Sequence, residues 1–414
     1  MKKLMILFML NWSFLGQAHP VKGHLDMQVH LTTQMLYSAL VGKKTPLDSL
    51  PKKTMSHKHR CTQAAYEEQL WNSSTKLYIV TALDHFFSPS RRNMRETIKE
   101  QFAFIKKIVK KFPHRYAIAR SPREARDIIH SGRKAFVLAI EGGTKLLRSQ
   151  KDADDLARLG VSMIGIIHLK DNEYGSATIQ KEARFLNLGA LFSKWFGCRK
   201  KGLSRLGKKA VKWLARAGIL TDISHMDSAS VADTLKIAES MNIPVVATHI
   251  KLKSLTGDKN DLTDSVVRRI YNLGGMVGLT SGNPSPLRKG YRDFIPKNYC
   301  PGSYQELGIQ ASHLERLFHG QKDLVLGFAT DMNGMVDHYR PKYGKDGCFQ
   351  KKAKLGEFNF YENRRFDSFD IYGLNHIGAV KGIWKNLERD HFKTDSFMRS
   401  AEGFLKVWEK ILRK

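Results

Sequence analysis

The feature of this sequence that most constrains its fold is an alternation of short apolar runs with longer amphipathic segments. The runs are rich in Val and Ile, as in parallel strands that are buried on both faces. A first strand is predicted near 21–27, and the others at 76–82, 135–140, 162–168, 219–223, 244–248, 275–280 and 323–329. A strand–helix unit repeated about eight times is typical of a parallel α/β fold. Together with the polar residues at strand ends described below, it predicts a (β/α)8 barrel, the TIM-type α/β fold.

Helices are predicted between the apolar runs, and several of them have capping residues. Ser121-Pro122 begins one helix, and Gly160 and Gly218 end two others. The predicted helices are 92–111, 122–131, 152–159, 203–217, 228–241, 263–273, 307–318 and 395–412. Long connections at 30–75 and 332–372 interrupt the alternation, and we expect the second to form part of the C-terminal rim, beside Asp331.

The N-terminus predicts export. Lys2 and Lys3 precede a short apolar stretch, and Gly16-Gln17-Ala18 places small residues at a cleavage site, so residues 1–18 are interpreted as a signal peptide. A buried N-terminal helix is the alternative. We expect a periplasmic or secreted protein in which residues 19–414 form a single domain.

Cysteine content is compatible with an oxidising compartment. An exported chain commonly forms disulfides, and four cysteines allow three full pairings, among which the sequence does not choose. They are Cys61, Cys198, Cys300 and Cys348.

The chain is strongly basic, with a formal net charge of +30 and a pI near 9.9. Basic clusters occur at 106–111, 199–209 and 351–354. Such a charge favours contact with an anionic membrane or a cell-wall surface. Nucleic acid is not expected, because the chain shows no helix-turn-helix, zinc-finger or RRM signature. An ordinary solvated basic surface explains the charge equally well.

Residues of the types that bind metal ions occur where several predicted strands end. Imidazole and carboxylate groups are the usual nitrogen and oxygen ligands of zinc and similar ions. In a (β/α)8 barrel the C-terminal strand ends meet at one rim, where active sites are built. The candidates are His24 and Asp26 on the first strand, Glu141, His225, His249 and Asp331.

A single histidine at a strand end is more often a hydrogen-bonded core residue than a metal ligand. Five candidate ligands lie at matching strand ends, so a role as isolated core residues is a less economical explanation for all five together. His24 and Asp26 gain weight as a pair, because side chains two residues apart on a strand share a face. His30 and five other histidines are assigned no role: His19, His57, His59, His114 and His130.

The sequence resembles the membrane dipeptidase (renal dipeptidase) family of zinc peptidases over roughly residues 20–410. The similarity is spread over several short motifs whose order is more specific than any one of them. They are GHLD at 23–26, IEGG at 140–143, HLKDNEYG at 168–175, TDISHMD at 221–227, VVATH at 245–249, GFATDMNG at 327–334 and GLNHIGAV at 373–380.

The resemblance implies a site for two Zn²⁺ ions, with another divalent ion as an alternative. His24 and Asp26 would bind one ion and His225 and His249 the other, with Glu141 bridging both. A metal-bridging hydroxide would attack the peptide carbonyl of a dipeptide or similar small peptide.

Two further residues complete the catalytic set that the resemblance implies. Asp331 would hold the nucleophile and carry its proton to the leaving amine. His168 would bind substrate and donate a hydrogen bond to the developing oxyanion.

The chain departs from the family where an Arg binds the substrate carboxylate. The nearest equivalent is Lys259, followed by Asn260. A lysine keeps the positive charge but lacks the planar two-point fork of arginine. Lys259 is therefore the candidate for substrate binding, with an ordinary solvated loop lysine as the alternative.

Two other functions remain open from the sequence. A hydrolase of the same fold could act on another small amide, lactone or ester, and a basic surface-binding protein could retain the fold without catalysis. A homodimer is an additional expectation for either case.

Overall fold

The structure is a computed structural model that describes most of the chain. The predicted signal peptide, residues 1–18, lies outside the described residues, as do Cys61 and Cys198. The described residues are 19–32, 67–83, 93–178, 202–285, 287, 295–296, 298–319, 321, 323–334, 336–349, 353–359 and 364–414.

Nine parallel strands form one sheet that curves into a nearly closed barrel. The strands are β1 (His24–Val29), β2 (Thr75–Leu83), β3 (Tyr116–Ala119), β4 (Lys134–Glu141), β5 (Val161–Gly165), β6 (Leu220–Thr221), β7 (Val246–Ile250), β8 (Met276–Thr280) and β9 (Gly327–Ala329). Eight of them follow one another around the barrel in the order β6, β5, β4, β2, β1, β9, β8, β7. The predicted TIM-type fold is confirmed.

The two ends of this order meet where β6 leads into β7. Ile223 N donates to Val246 O at 3.0 Å, and Asp222 pairs with Val246 in a parallel bridge. The strand β3, which the sequence analysis missed, pairs with the first half of β4, whose second half pairs with β5. The barrel is therefore almost continuous in backbone hydrogen bonds.

Helices cover the outside of the barrel, and their apolar faces pack against the strands. They are α1 (Glu67–Asn72), α2 (Met94–Lys111), α3 (Pro122–His130), α4 (Gln150–Arg158), α5 (Arg205–Arg216), α6 (Ser228–Met241), α7 (Lys253–Thr256), α8 (Asp264–Asn272), α9 (Gln305–Leu317), α10 (Ser368–Tyr372), α11 (Val380–Arg389), α12 (Asp395–Met398) and α13 (Ser400–Leu412). None of those described has the length and apolar character needed to span a bilayer.

Capping explains where several helices begin. The Ser121 hydroxyl accepts from the backbone N–H of Glu124, as predicted, and Ser149 forms a reciprocal capping box with Asp152. The predicted helix 395–412 is divided at Arg399, which lies between α12 and α13.

The first strand lies further along the chain than predicted. The prediction ended it at residue 27, whereas β1 runs from His24 to Val29 and is buried throughout. Gln28 is polar, and a polar residue normally indicates a strand end. Here it lies inside the barrel, with its side-chain oxygen accepting from Thr81 Oγ1 at 3.0 Å. The residue that follows this strand at the C-terminal rim is therefore His30.

The long connection after β9 is tied to the loop before α9. Cys300 and Cys348 form a disulfide, which selects one pair from the pairings that the sequence left open. The connection also holds a small antiparallel hairpin, β10 (Phe358–Asn359) and β11 (Arg364–Arg365). This rim segment is thus covalently anchored to the barrel.

We expect the double substitution Cys300→Ser, Cys348→Ser to destabilise the protein. The bond closes a loop with a sequence separation of 48, for which loop-closure entropy predicts about 4 kcal/mol of the free energy of unfolding. Thermal unfolding of the variant and the oxidised wild type, followed by circular dichroism, measures the difference. An unchanged midpoint would contradict a stabilising role for this bond.

Candidate metal centre and active site

Polar side chains from six strands converge at the C-terminal rim of the barrel. Each has at most 11% of its side chain exposed, so the cluster is largely shielded from bulk water. They are His30 after β1, Glu141 at the end of β4, His168 after β5, His225 after β6, His249 in β7 and Asp331 after β9. Five of these residues were predicted, and His30 is the addition.

The carboxylate of Glu141 lies at the centre of the cluster. Its Oε1 is 2.8 Å from Nε2 of His225 and 3.5 Å from Nε2 of His249. Its Oε2 is 3.3 Å from Nε2 of His30 and 3.6 Å from Nε2 of His168. Each oxygen thus faces its own pair of imidazoles, which is the arrangement expected of a carboxylate that bridges two cations.

His225 and His249 approach each other through the same type of nitrogen, with 2.8 Å between their Nε2 atoms. A single proton lies on such a line, so at least one of these nitrogens presents a lone pair. Neutral imidazoles that direct lone pairs to one point are suited to holding a metal ion.

A hydrogen-bond chain sets the tautomer of His249. The Thr248 hydroxyl donates to Oδ2 of Asp222 at 2.6 Å, because a carboxylate can only accept. The same hydroxyl oxygen lies 2.7 Å from Nδ1 of His249 and therefore accepts the Nδ1 proton. The lone pair of His249 is consequently on Nε2, which faces Glu141. This is the role that outer carboxylates commonly have around metal-binding histidines.

His30 is oriented in a similar way from the opposite side. Its Nδ1 lies 3.3 Å from the carbonyl oxygen of Thr81, which can only accept, so Nδ1 carries the proton. Its Nε2 is 3.1 Å from Oδ1 of Asp331 and 3.2 Å from the side-chain amide of Gln28. His30 was missed because the strand was predicted to end too early, which left this residue in a loop.

His24 and Asp26, which were predicted as ligands, make no described hydrogen bond or ion pair with Glu141, and His24 lies at the far end of the barrel strand. His24 pairs with Thr75 of β2, whereas Glu141 pairs with Leu83 at the other end of that strand. Eight residues at a rise of about 3.3 Å separate the two levels by roughly 26 Å. A residue in the first position of a parallel barrel strand cannot reach the rim at its C-terminal end.

The surroundings of these two residues are those of core side chains. The His24 ring stacks on Trp384 with 4.2 Å between the centroids, and burial lowers its pKa to about 4. Asp26 accepts hydrogen bonds from the backbone and the hydroxyl of Thr330, and burial raises its pKa to about 7. Both residues thus have a structural role in β1.

Electrostatics at the rim favour an ionised Glu141. Burial by itself would raise the pKa of this carboxyl, but the imidazoles of His168 and His225 hold it well below its usual value. Burial lowers the pKa of His225. Burial also acts to lower the pKa of His30, yet the carboxylates of Asp331 and Glu141 outweigh it and raise that pKa.

Asp331 is held in an uncommon backbone conformation. Its φ is +51°, a left-handed value that few residues other than glycine adopt. Its backbone N–H donates to Gln28 O at 2.8 Å, which ties it to β1. A Cβ atom at Gly334 would lie only 2.1 Å from Oδ1 of Asp331. The position of this carboxylate therefore depends on the absence of a side chain at residue 334.

Gly334→Ala is expected to displace the Asp331 carboxylate and lower kcat by about a hundredfold, a loss that a misplacement of about 1 Å can cause. Steady-state kinetics and metal analysis would be measured together, and metal content should change less than kcat. Gly356→Ala is the control for a substitution without a steric clash, because a Cβ there meets no atom within 4 Å, and its φ of +84° means that any effect of this variant reports backbone strain alone. Equal activity of Gly334→Ala and the control would refute the dependence on Gly334.

The remaining predicted residues differ in how close they lie to the cluster. The ring of His168 packs edge-on against His225, with 4.6 Å between centroids. Asn172 supports the loop that carries His168, because its Nδ2 donates to Ile166 O at 2.8 Å. Lys259 is exposed in the turn after α7.

The donor set fits divalent metal. One ligand atom each from Glu141, His168 and His225 lies within 4.8 Å of the others. Nitrogen and oxygen donors of this kind are those that zinc prefers. The tautomer that Thr248 sets on His249 directs the Nε2 lone pair of His249 toward this carboxylate. His30, held at Nδ1 by the carbonyl oxygen of Thr81, would present a lone pair on Nε2 once that nitrogen is deprotonated.

Several curated dipeptidases are similar in sequence to part of this chain. Dipeptidase verJ of Clonostachys rogersoniana is 28% identical over 188 residues, which is 45% of this chain and 44% of that protein. An uncharacterized dipeptidase of Schizosaccharomyces pombe is 25% identical over 262 residues, covering 63% of this chain and 54% of the relative. The chain spans about half the length of the curated relatives it matches.

Solved structures with the same fold cover nearly the whole chain. The probable dipeptidase PvdM of Pseudomonas aeruginosa has a TM-score of 0.62 at 15% identity and covers 95% of this chain and 96% of its own. A metallopeptidase of Rhodobacter sphaeroides, liganded with a phosphinate mimic of L-Ala-D-Ala, has a TM-score of 0.62 at 13% identity, covering 94% and 99%. These similarities establish the shared fold.

The sequence of residues 13–285 matches the family model of the membrane dipeptidases, peptidase family M19. This segment is more than half of the chain and includes His30, Glu141, His168, His225 and His249, whereas Asp331 lies beyond it. The protein belongs to the membrane dipeptidase family, peptidase family M19.

Proposed function

We propose that this protein is a metal-dependent dipeptidase that holds two Zn²⁺ ions at the C-terminal rim of its barrel. The observation that carries the proposal is the central carboxylate of Glu141, whose two oxygens face two different pairs of imidazoles. Family membership and the dipeptidase names of the relatives support peptide hydrolysis as the reaction.

Each ion would have its own set of ligands in this proposal. His225, His249 and Oε1 of Glu141 would hold one ion, and His30 and Oε2 of Glu141 the other. Two bound ions would together polarise the substrate carbonyl and lower the pKa of a water molecule between them. In this proposal His30 would take the place of the predicted pair of His24 and Asp26, because its Nε2 lies 3.3 Å from Oε2 of Glu141.

The other residues of the rim would position and protonate the substrate. Asp331, 3.1 Å from His30, would accept the proton of the nucleophile and deliver it to the leaving amine. His168 would donate a hydrogen bond to the oxygen that becomes negative as the carbonyl is attacked. Both groups are largely buried, so their interactions with developing charge are weakly screened.

Elemental analysis joined to a substrate panel tests the proposal. We expect about two zinc equivalents per chain, and hydrolysis of dipeptides that stops with chelator and returns with added Zn²⁺. A panel of L,L- and L,D-dipeptides together with lactones and esters distinguishes a dipeptidase from a hydrolase of the same fold that acts on lactones or esters. If only a lactone or an ester is hydrolysed, the protein would be a hydrolase of that class and not a dipeptidase. A protein with neither metal nor turnover would be a non-catalytic basic protein instead.

Lys259→Ala is expected to raise KM for free dipeptides about tenfold, because a charge-assisted hydrogen bond to the substrate carboxylate would be lost. Zinc content should not change. Lys251→Ala is the comparison, since Lys251 follows β7 and donates to Ser285 Oγ at 3.0 Å. If KM rises only in the Lys251 variant, the carboxylate contact belongs to Lys251. An unchanged KM in Lys259→Ala would refute its assignment.

We further propose that the protein is exported to the periplasm or secreted after removal of residues 1–18. The disulfide between Cys300 and Cys348 supports an oxidising compartment. N-terminal sequencing of the protein from its native cells tests this, and a mature chain that begins with Met1 would contradict it. The expected homodimer remains a prediction, which light scattering of the purified protein checks.

A further inference from the structure

Helix α5 carries a basic stripe that the proposed reaction does not use. Its sequence, RLGKKAVKWLAR, contains five cationic residues and no acidic one. Successive helix residues are about 100° apart, so all five cations fall within an arc of roughly 100°. All are exposed, and they are Arg205, Lys208, Lys209, Lys212 and Arg216. We call these five residues the α5 stripe.

The opposite side of α5 is buried against the barrel, and this fixes the direction of the stripe. The buried residues are Gly207, Ala210, Val211, Leu214 and Ala215. The helix also packs between α4 and α6 on the outer wall. Rotation of α5 would therefore bury cations and expose core residues, so the stripe faces outward.

Neighbouring acidic residues neutralise little of this charge. Within the described part of the chain, Lys208 is the stripe residue with an ion pair, 3.3 Å from Asp233. Glu239 on α6 is paired with Arg269 at 2.7 Å, and Asp155 on α4 is paired with Lys151 at 2.8 Å. The outer wall at α5 is consequently positive, although acidic residues lie on both adjacent helices.

One flank of the stripe is apolar. Leu206 and Trp213 are seven residues apart, lie on the same side of α5 and are only partly buried. Trp side chains favour the boundary between lipid headgroups and acyl chains, where one edge of the ring is apolar and the other wet. A row of cations bordered by a half-buried Trp matches a lipid surface better than it matches a nucleic acid.

We propose that the α5 stripe binds the anionic headgroups of a phospholipid membrane. The helix of 12 residues presents its cations along a line of about 18 Å, and each Lys or Arg near an anionic surface adds to binding. Helix α5 lies on the outer wall, so contact there leaves the rim with Glu141 open to small substrates. The inference stands independently of the proposed peptidase reaction.

Vesicle sedimentation tests the proposal with two charge-matched variants of the full chain. The first replaces Arg205, Lys209, Lys212 and Arg216 by Gln. The control replaces Lys106, Lys107, Lys110 and Lys111 of α2 by Gln, which removes the same charge from another exposed basic helix. Vesicles of phosphatidylglycerol and phosphatidylcholine are compared with pure phosphatidylcholine, at low and high salt. Circular dichroism verifies that both variants are folded.

We expect wild type to bind the anionic vesicles and to be released by salt. The stripe variant should lose about tenfold or more in affinity, and the α2 control less than about threefold. Equal losses in both variants would mean that net charge alone attracts the protein, and a larger loss in the control would assign the contact to α2. Absent vesicle binding, or binding only to polyphosphate or a DNA duplex, would also overturn the proposal.

Discussion

Replacing Glu141 with Gln is expected to remove bound metal and dipeptide hydrolysis together. The neutral amide has one oxygen and one NH₂ group, so it can no longer face two cations with two anionic oxygens. Bound ions contribute several kcal/mol of charge stabilisation in the transition state, which corresponds to a loss in kcat/KM of about a thousandfold or more. Inductively coupled plasma spectrometry and steady-state kinetics measure the two effects on the same preparation.

Glu306→Gln is the matched control for this substitution. Glu306 is another buried glutamate, 2% exposed, and burial raises its pKa to about 7, so an amide is a close mimic of its protonated form. It accepts from Gly302 N at 2.7 Å and makes no contact with the six rim residues in the described hydrogen bonds. Metal and activity should persist in this variant. Two zinc equivalents in Glu141→Gln would contradict the bridging role of Glu141.

The second large effect is expected from His30→Ala. This variant tests whether His30, as the structure suggests, or the sequence-predicted pair of His24 and Asp26 holds the second ion. His30 Nε2 lies 3.3 Å from Oε2 of Glu141, so its removal should lower zinc from about two equivalents to about one. Because hydrolysis would use both ions, kcat should fall by about a hundredfold or more. Metal titration followed by activity measurement at saturating Zn²⁺ distinguishes lost affinity from lost function.

His24→Ala is the matched histidine variant. Loss of the stack on Trp384 should lower thermal stability, but zinc content should stay at the wild-type value. The opposite pattern, with zinc lost in His24→Ala and retained in His30→Ala, would restore the original assignment and overturn the one made from the structure.

Most of the barrel could be predicted because its strands are continuous apolar runs. The predicted strands at 76–82 and 135–140 differ from β2 and β4 by a single residue at each end. The boundaries were less accurate for β9, which begins at Gly327 rather than at residue 323. Residues 323–326 are partly apolar, but their backbone does not pair with a neighbouring strand. Hydropathy does not distinguish apolar residues inside a strand from apolar residues that precede it.

Much of the candidate site could also be predicted. Glu141, His225 and His249 were found because each closes an apolar run, so the end of the run and the end of the strand nearly coincide. His30 was missed because Gln28 interrupts the apolar pattern of β1 inside the barrel. Asp222 and Thr248 were missed for another reason. They matter because their hydrogen bonds keep a proton on Nδ1 of His249, and no local sequence pattern predicts such a contact.

By itself, the amino-acid sequence determined the strand–helix alternation and the placement of imidazoles and carboxylates near strand ends, since both depend on residues close together in the chain. Only the tertiary structure decided the strand register, which places His30 rather than His24 beside Glu141. Register arises from hydrogen bonds between strands that are distant in sequence, and from side chains that share the interior of the barrel. A shift of a few residues along β1 changes which histidine faces the central carboxylate.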